Sequence, residues 1–395
     1  MTEWVPLKRA AQLRYGDALP SESRRAGNVS VVGSGGVSGT HDMANASGPA
    51  IVVGRKGSYG AVHWASDDSF VIDTAYVIDR RMSRADIRWL YYVLSSVDLK
   101  GASQDVGVPG LSRDAAHSVL IPEPPSHERQ RRIVDFLDIE TTRIDSLVKL
   151  TRAQLNLMDR GLTEFARKMT TTGGSKALGP SGIAWMPQVC ESWRLHRIGR
   201  TFRTGSGTTP RSNDPGYFDG EYAWVNTGDL RDSTINQTRK SVTGKALREF
   251  SALRMYSPGA LVVAMYGATT GRVGILEIAG CVNQACCVLY GSHDLRVKYV
   301  FHWFTSHRSE IMNLASGGGQ PNISQELVRS LQVPGPEPDA QDKILSVIRE
   351  REVSHRQETR LLDRRLALLA ERRQALITAA VTGQIDLTTA RGADV

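Results

Sequence analysis

Apolar positions along the chain follow two rhythms. Over residues 1–125, and again over 173–337, they fall in short β-branched and aromatic runs such as Val29-Ser30-Val31-Val32, Ile51-Val52-Val53 and Leu261-Val262-Val263. Clusters of Gly, Ser, Asn and Asp separate the runs, which predicts a mixed sheet with turns and a few helices. Over 126–172 and 338–384 the rhythm is helical. Each helical stretch follows a proline-rich stop, Pro122 to Ser126 or Pro334 to Asp339, with Ser126 and Asp339 as expected N-caps. The first seam reads Ile133, Leu137, Ile144, Val148, Leu155, Met158, Leu162, Phe165, Met169, with Thr141 and Thr151 filling the gaps. The second reads Leu345, Ile348, Glu352, His355, Thr359, Leu362, Leu366, Leu369, Arg373, Leu376, Ala380, in the alternating threes and fours of a coiled coil. Gly173-Gly174 and Gly383 suit left-handed helix ends. A tail, 385–395, follows.

Each helix runs about 40 residues, roughly 60 Å at 1.5 Å per residue. Alone, such a helix leaves its seam wet. Two of equal length in one chain most economically bury each other, and the intervening globular segment folds the chain back into an antiparallel pair. The alternative is that each helix pairs with another subunit. The polar middle of the second seam either frays or acts as a specificity device.

The chain also repeats itself. Ile51-Val52-Val53 to Gly57 matches Leu261-Val262-Val263 to Gly267, and Ile72-Asp73-Thr74-Ala75 matches Val282-Asn283-Gln284-Ala285. Gly110-Leu111-Ser112 matches Asn322-Ile323-Ser324, Val119 to Pro122 matches Leu331 to Pro334, and Gln130 to Ile133 matches Gln341 to Ile344, all at offsets of 210 to 212. The expected fold is α+β: two globular mixed α/β domains related by an internal pseudo-two-fold repeat and separated by two long antiparallel coiled-coil helices.

Composition adds less. Hydrophobic residues are 41% and charged residues 23%, as in a globular protein. There is no apolar run long enough for a membrane span and no signal-peptide pattern at the start, so a cytoplasmic protein without a membrane partner is expected. Cys190, Cys281, Cys286 and Cys287 form no C-x-x-C pair, which argues against zinc and for reduced thiols. The net charge of +8 permits a nucleic-acid partner, but its distribution is uneven: residues 1–126 are net zero and residues 170–338 are net +5. DNA binding by the first segment therefore needs a local patch such as Arg55-Lys56.

Catalytic motifs are missing. There is no Asn-Pro-Pro-aromatic methyltransferase motif, no phosphate loop around Gly244-Lys245, no nucleophile elbow and no H-E-x-x-H. The run Gly33 to Gly39 lacks a following helix and reads as a turn, or as a loop lying close to a nucleic-acid backbone.

Almost the whole chain resembles type I restriction–modification specificity subunits. Glu128 to Val148 (ERQRRIVDFLDIETTRIDSLV) and Arg372 to Leu387 (RRQALITAAVTGQIDL) are similar to that family's conserved helical regions. Tyr15 to Pro20, Gly54 to Ser58, Ile72 to Thr74, Ser206 to Arg211 and Trp224 to Leu230 follow a pattern of its target recognition domains. The resemblance implies that each globular domain reads one half of a split double-stranded DNA target. The helices would set the spacing and dock two methyltransferase subunits, which bring S-adenosylmethionine. Restriction/translocase subunits would bring ATP and Mg, and this chain would bind no cofactor and carry no catalytic residue or metal.

Base readout needs Arg, Lys, Asn, Gln, Ser or Thr at groove edges, and phosphate positioning needs backbone amides and basic side chains. The candidates in the first domain are Arg55, Lys56, Ser58 and Tyr59, backed by Tyr15, Ser34 and His41. In the second they are Ser206, Thr208, Thr209, Arg211, Tyr266, Thr269, Thr270 and Arg272, backed by Asn226 and Gln320. His63 and His196 read as surface or hydrogen-bonded core groups. Two rival readings stay open: a fused methyltransferase or nuclease, and a scaffold that binds protein or glycan.

Overall fold

The computed structural model describes residues 3–101, 110–315 and 322–385. It falls into two compact units, Met1–Arg152 with Leu362–Val395, and Ala153–Leu361. The division does not follow the helix starts at 126 and 338, because segments of both long helices are built into each unit's core.

Unit 1 runs β1 (Trp4–Pro6), β2 (Arg14–Tyr15), β3 (Val29–Gly33), β4 (Gly36–His41), β5 (Ala50–Gly54), β6 (Val62–Ala65), β7 (Ser69–Val71), β8 (Ala75–Asp79), α1 (Ile87–Ser96), α2 (Arg113–Ser118) and β9 (Leu120–Pro122), then enters α3 (His127–Thr172). Its main sheet has the order β2-β8-β5-β6, a smaller one β4-β3-β7, and β1 pairs with β9. The central strand β5 is buried along its length: Ile51 and Val53 face a core shared with α1, while Ala50 and Val52 face a smaller one. This is the near-continuous apolar run of a strand covered on both faces. The glycine run is the β3–β4 hairpin, turning at Ser34-Gly35.

Unit 2 repeats the plan. After α3 come β10 (Leu178–Pro180), β11 (Gln188–Cys190), β12 (Arg194–Arg197), α4 (Ile198–Thr201), β13 (Arg203–Gly205), β14 (Phe218–Val225), β15 (Ser233–Ile235), β16 (Ser241–Val242), α5 (Gly244–Glu249), β17 (Leu261–Ala264), β18 (Val273–Leu276), β19 (Gly280–Val282) and β20 (Cys286–Tyr290). Then follow α6 (Val297–Ser306), α7 (Arg308–Asn313), α8 (Gln325–Ser330), β21 (Gln332–Gly335) and α9 (Pro338–Val381). The main sheet, β13-β20-β17-β18-β15, reproduces the first with one added strand; β16-β14-β19 reproduces the smaller sheet, and β12–β21 the β1–β9 pair.

Register fixes the equivalence. Ile51 pairs with Ile78 and Val53 with Tyr76, as Leu261 pairs with Leu289 and Val263 with Cys287. The parallel pair Val32–Val71 corresponds to Val225–Val282. Val282 is thus the counterpart of Val71, not of Ile72 as the sequence words suggest. The words align on a shared alanine, whereas the ladder obeys the two-residue side-chain period.

The long helices dock similarly. In unit 1, Ile133 and Leu137 share the core with Ile377, Ala380 and Val381. In unit 2, Phe165 and Met169 pack on the core that holds Ile344 and Ile348. Ile144 and Leu369 are buried, and Val148, Leu155, Leu162, Leu345, Leu362, Leu366 and Leu376 are half-buried, while Leu150, Leu157, Leu361 and Leu368 lie exposed on other faces. The polar stretch of the second seam does not fray. His355 Nε2 meets Asp159 Oδ1 at 3.0 Å in unit 2, and Arg373 Nε meets Asp145 Oδ1 at 3.5 Å in unit 1. Ser126 caps α3, its Oγ accepting from Arg129 N at 3.4 Å. Asp339 is not the second cap: Pro338 already occupies the first helical position, where its fixed φ suits the helix and its missing N–H costs nothing. Gly173 and Gly383 take φ of 61° and 72°, the left-handed ends their sequence position predicts.

Candidate nucleic-acid interface

In unit 1 the loops gather around Thr74. Arg55 N and Lys56 N donate to its carbonyl at 2.8 and 3.1 Å, and Ser34 N donates to its hydroxyl at 3.3 Å. Leu111 N donates to Arg55 O at 2.8 Å, which brings in the start of α2. A Cβ on Gly57, whose φ is +68°, would sit 3.6 Å from Ser34 Oγ, so the hairpin turn and the β5–β6 loop are neighbours. Side chains converge on Tyr15, which is 40% exposed. The Arg55 guanidinium lies 4.9 Å and that of Arg113 5.2 Å from its ring centroid. Tyr15 rests 5.1 Å from the ring of buried Tyr76, whose hydroxyl donates to Leu111 O; burial and then Tyr15 push the Tyr76 phenol up to about 12. Arg55 Nη1 donates to the carbonyl of Asp73 at 3.2 Å. Among the described residues no carboxylate lies within ion-pairing distance of Arg55 or Arg113. Lys56 and Ser58 are exposed on the same loop.

Two candidates fall outside this cluster. His41 is 5% exposed, with Nδ1 accepting from Arg25 N at 3.1 Å, Nε2 facing Asp42 and its ring edge-on to Phe70. Its ring is buried and partnered within the fold. Tyr59 packs half-buried on the main core. Arg113 was missed, although it directly follows the repeated block Gly110-Leu111-Ser112.

In unit 2, Ile323 N donates to Met265 O at 2.7 Å and Met265 N to Ala285 O at 2.8 Å, the counterparts of the Leu111–Arg55 and Arg55–Thr74 bonds. Ser206 Oγ donates to Cys286 O at 2.9 Å and Thr209 Oγ1 to Gln284 Oε1 at 2.5 Å, so both hydroxyls hold the loop's shape. Asn226 Nδ2 donates to Trp224 O, and its Oδ1 accepts from Asn283 Nδ2 at 3.2 Å. Thr270 is buried, its hydroxyl donating to Gly267 O at 2.7 Å, and Thr269 Oγ1 is buried without a hydrogen-bond partner among the described residues. The Asn226 amide and the Thr270 hydroxyl thus make their hydrogen bonds within the fold. Thr208 is half-buried, while Arg211, Tyr266 and Arg272 are exposed at this face. Gln320 lies outside the described residues.

His63 Nε2 lies 2.9 Å from Ser34 O, a fold contact. All four cysteines are free and buried, and burial raises the thiols of Cys281, Cys286 and Cys287. Among the described residues no group of His, Cys, Asp and Glu could hold a metal, and no helix is long and apolar enough to cross a membrane.

Two copies of one α/β plan, each with a hydroxyl-, arginine- and tyrosine-bearing loop face, define a tandem-repeat binding protein. The chain belongs to the type I restriction modification DNA specificity domain family, whose model matches residues 5–156 and 191–351. It is 19% identical over 271 residues to the EcoR124I/EcoR124II type I restriction enzyme specificity subunit of Escherichia coli, covering 66% of this chain and 62% of that one. It is 25% identical over 166 residues to the MjaIX specificity subunit of Methanocaldococcus jannaschii, covering 41% of this chain and 38% of that one. The matches thus span less than two thirds of either relative. A solved chain from work on complex assembly and conformational transition of the type I R-M system shares the fold, with a TM-score of 0.68 at 15% identity, covering 97% of this chain and 98% of that one.

Proposed function

We propose that this chain is the specificity subunit of a type I restriction–modification complex. Unit 1 reads one half of a bipartite duplex target and unit 2 the other. The long helices form an antiparallel coiled coil that relates the two units by a pseudo-two-fold axis, sets the spacer and docks two methyltransferase subunits. Those partners and the restriction/translocase subunits bring S-adenosylmethionine, ATP and Mg; this chain supplies the address and no catalytic group.

The observation that carries the reading is the repeated loop face. The same backbone bonds, Leu111 to Arg55 and Ile323 to Met265, hold exposed polar loops at the corresponding end of an interior strand, β5 or β17, in both main sheets. A protein reading one continuous site has no need of two such faces, whereas half-sites spaced by helical turns demand them. In unit 1 the face is locally cationic although the surrounding domain is neutral. Two guanidiniums share the Tyr15 ring, where a phosphate or a guanine edge would balance their charge.

The test is selection from a random duplex library by the chain assembled with its methyltransferase subunits. Two short specified blocks separated by an unspecified gap of constant length are expected. A single uninterrupted motif, or no enrichment, overturns the reading.

A further inference from the structure

We infer that unit 2 carries a second DNA contact, an arginine-lined groove along the edge strand β13 that takes the phosphodiester backbone next to the bases read by the Ser206–Arg211 loop. The inference rests on the DNA-reading role proposed above.

Strand β13 ends its sheet, so one side of Arg203-Thr204-Gly205 faces no strand among the described residues. Two cavities of about 670 and 820 Å³ meet there, sharing Arg203, Tyr290 and Gly291. The first adds Arg200, His293 and Arg329, and the second adds Arg254. Asp294, in the first, is the one carboxylate among the residues that line them. All four arginines are exposed, and among the described residues none has a carboxylate within ion-pairing distance. Arg329 Nη1 instead donates to Thr204 Oγ1 at 3.2 Å, which holds that guanidinium against the strand. Four arginines collected around a single carboxylate leave a net positive groove, which is unfavourable in the free protein and attracts an anion.

Shape and connectivity select the kind of anion. The two cavities, about 670 and 820 Å³, are larger than a single phosphate needs. Three strand residues extend about 10 Å, longer than one phosphate group, so a run of successive phosphates suits the strip better than a free ion. Tyr256, which lines the second cavity, donates through its hydroxyl to Ser206 O at 2.9 Å and meets Tyr290 edge-on with ring centroids 5.5 Å apart. The groove therefore adjoins the first residue of the candidate reading loop, and a backbone that enters it continues into the bases that the loop faces. Sequence reading passed over this strip because Arg200, Arg203, Arg254 and Arg329 are scattered over 130 positions and meet only in the fold.

The experiment measures duplex binding against salt concentration for the full chain assembled with its own methyltransferase subunits. Wild type is compared with Arg203→Gln/Arg254→Gln and with Arg200→Gln/Arg329→Gln, on a cognate and on a scrambled duplex. Each double variant is expected to lower the log–log salt slope by about two and to weaken both duplexes by the same factor, leaving sequence preference intact. An unchanged slope in both variants overturns the groove while leaving the specificity role standing. So does a loss confined to the cognate duplex. Lost subunit assembly at an unchanged slope assigns the groove to an acidic protein surface instead and also overturns it. If assembled wild type prefers no duplex sequence, the specificity reading falls first and the groove with it.

Discussion

Gln130 Oε1 accepts the backbone N–H of Asp86 at 2.6 Å, joining the first turn of α3 to the start of α1. Its amide nitrogen donates to Pro125 O at 2.6 Å, and the residue is 2% exposed. Gln341 repeats the latch in unit 2, accepting from Arg296 N at 2.8 Å and donating to Pro336 O at 2.8 Å. The repeated Gln therefore marks where the globular part of each unit is fastened to a long helix. Leucine at this place keeps the volume and strands a buried N–H and a carbonyl. Gln130→Leu is expected to destabilise unit 1 by about 1–3 kcal/mol, and Gln341→Leu to do the same to unit 2, measured by chemical denaturation. A loss below a few tenths of a kcal/mol in both would show the latches to be incidental.

Arg113 reaches the Tyr15 ring from α2 beside Arg55, yet its own environment contains no acid partner among the described residues. Arg113→Ala is expected to weaken binding by roughly 1–3 kcal/mol if the guanidinium contacts a guanine. The loss should relax preference in the half-site read by unit 1 and leave the other half unchanged. Equal relaxation of both halves in a selection experiment would contradict one reader per half.

Removing seven residues from both long helices preserves the seam, because the apolar pattern recurs with that period. The expected result is a shorter gap between the two specified blocks, mapped by methylation sequencing. An unaltered gap would exclude the helices as the spacer.

Burial lowers His302 to about 4, with Lys298 adding to the effect, and burial likewise lowers His307 to about 4. His307 is held neutral between Trp303, which it stacks at 5.1 Å, and Thr171. Unfolded histidine binds its proton near pH 6.5, so unit 2 is expected to lose stability as pH falls from about 6.5 to about 4. The loss is on the order of 2–3 kcal/mol per histidine. Glu352, whose carboxyl burial raises, acts in the opposite sense and trims the loss at the acid end. Melting temperatures of wild type and His302→Gln/His307→Gln across this window provide the check: the double variant's curve should be the flatter one.

Much of the architecture was legible because it rests on local periodicity. The seam residues from Ile133 to Met169 and from Leu345 to Ala380 are all buried or half-buried, since an apolar stripe at helical spacing lies on one face and is covered together. The candidate contact residues were less legible. Arg55 and Tyr15 do meet, but Asn226 and Thr270 have side chains suited to bases and spend their hydrogen bonds on the fold. His41, a backing candidate by residue type, has Phe70 and Asp42 packed against its ring.

The order of amino acids by itself determined the helix seams, the glycine ends and the existence of a repeat, because these depend on neighbours within a few positions or on comparing one segment with another. Tertiary structure alone decided which strand lies beside which, the one-residue shift that matches Val71 with Val282, and the meeting of Arg203, Arg254 and Arg329 along one groove. Sheet pairing and charge clustering join residues far apart in sequence, and their free energy depends on distances that exist only once the chain has folded.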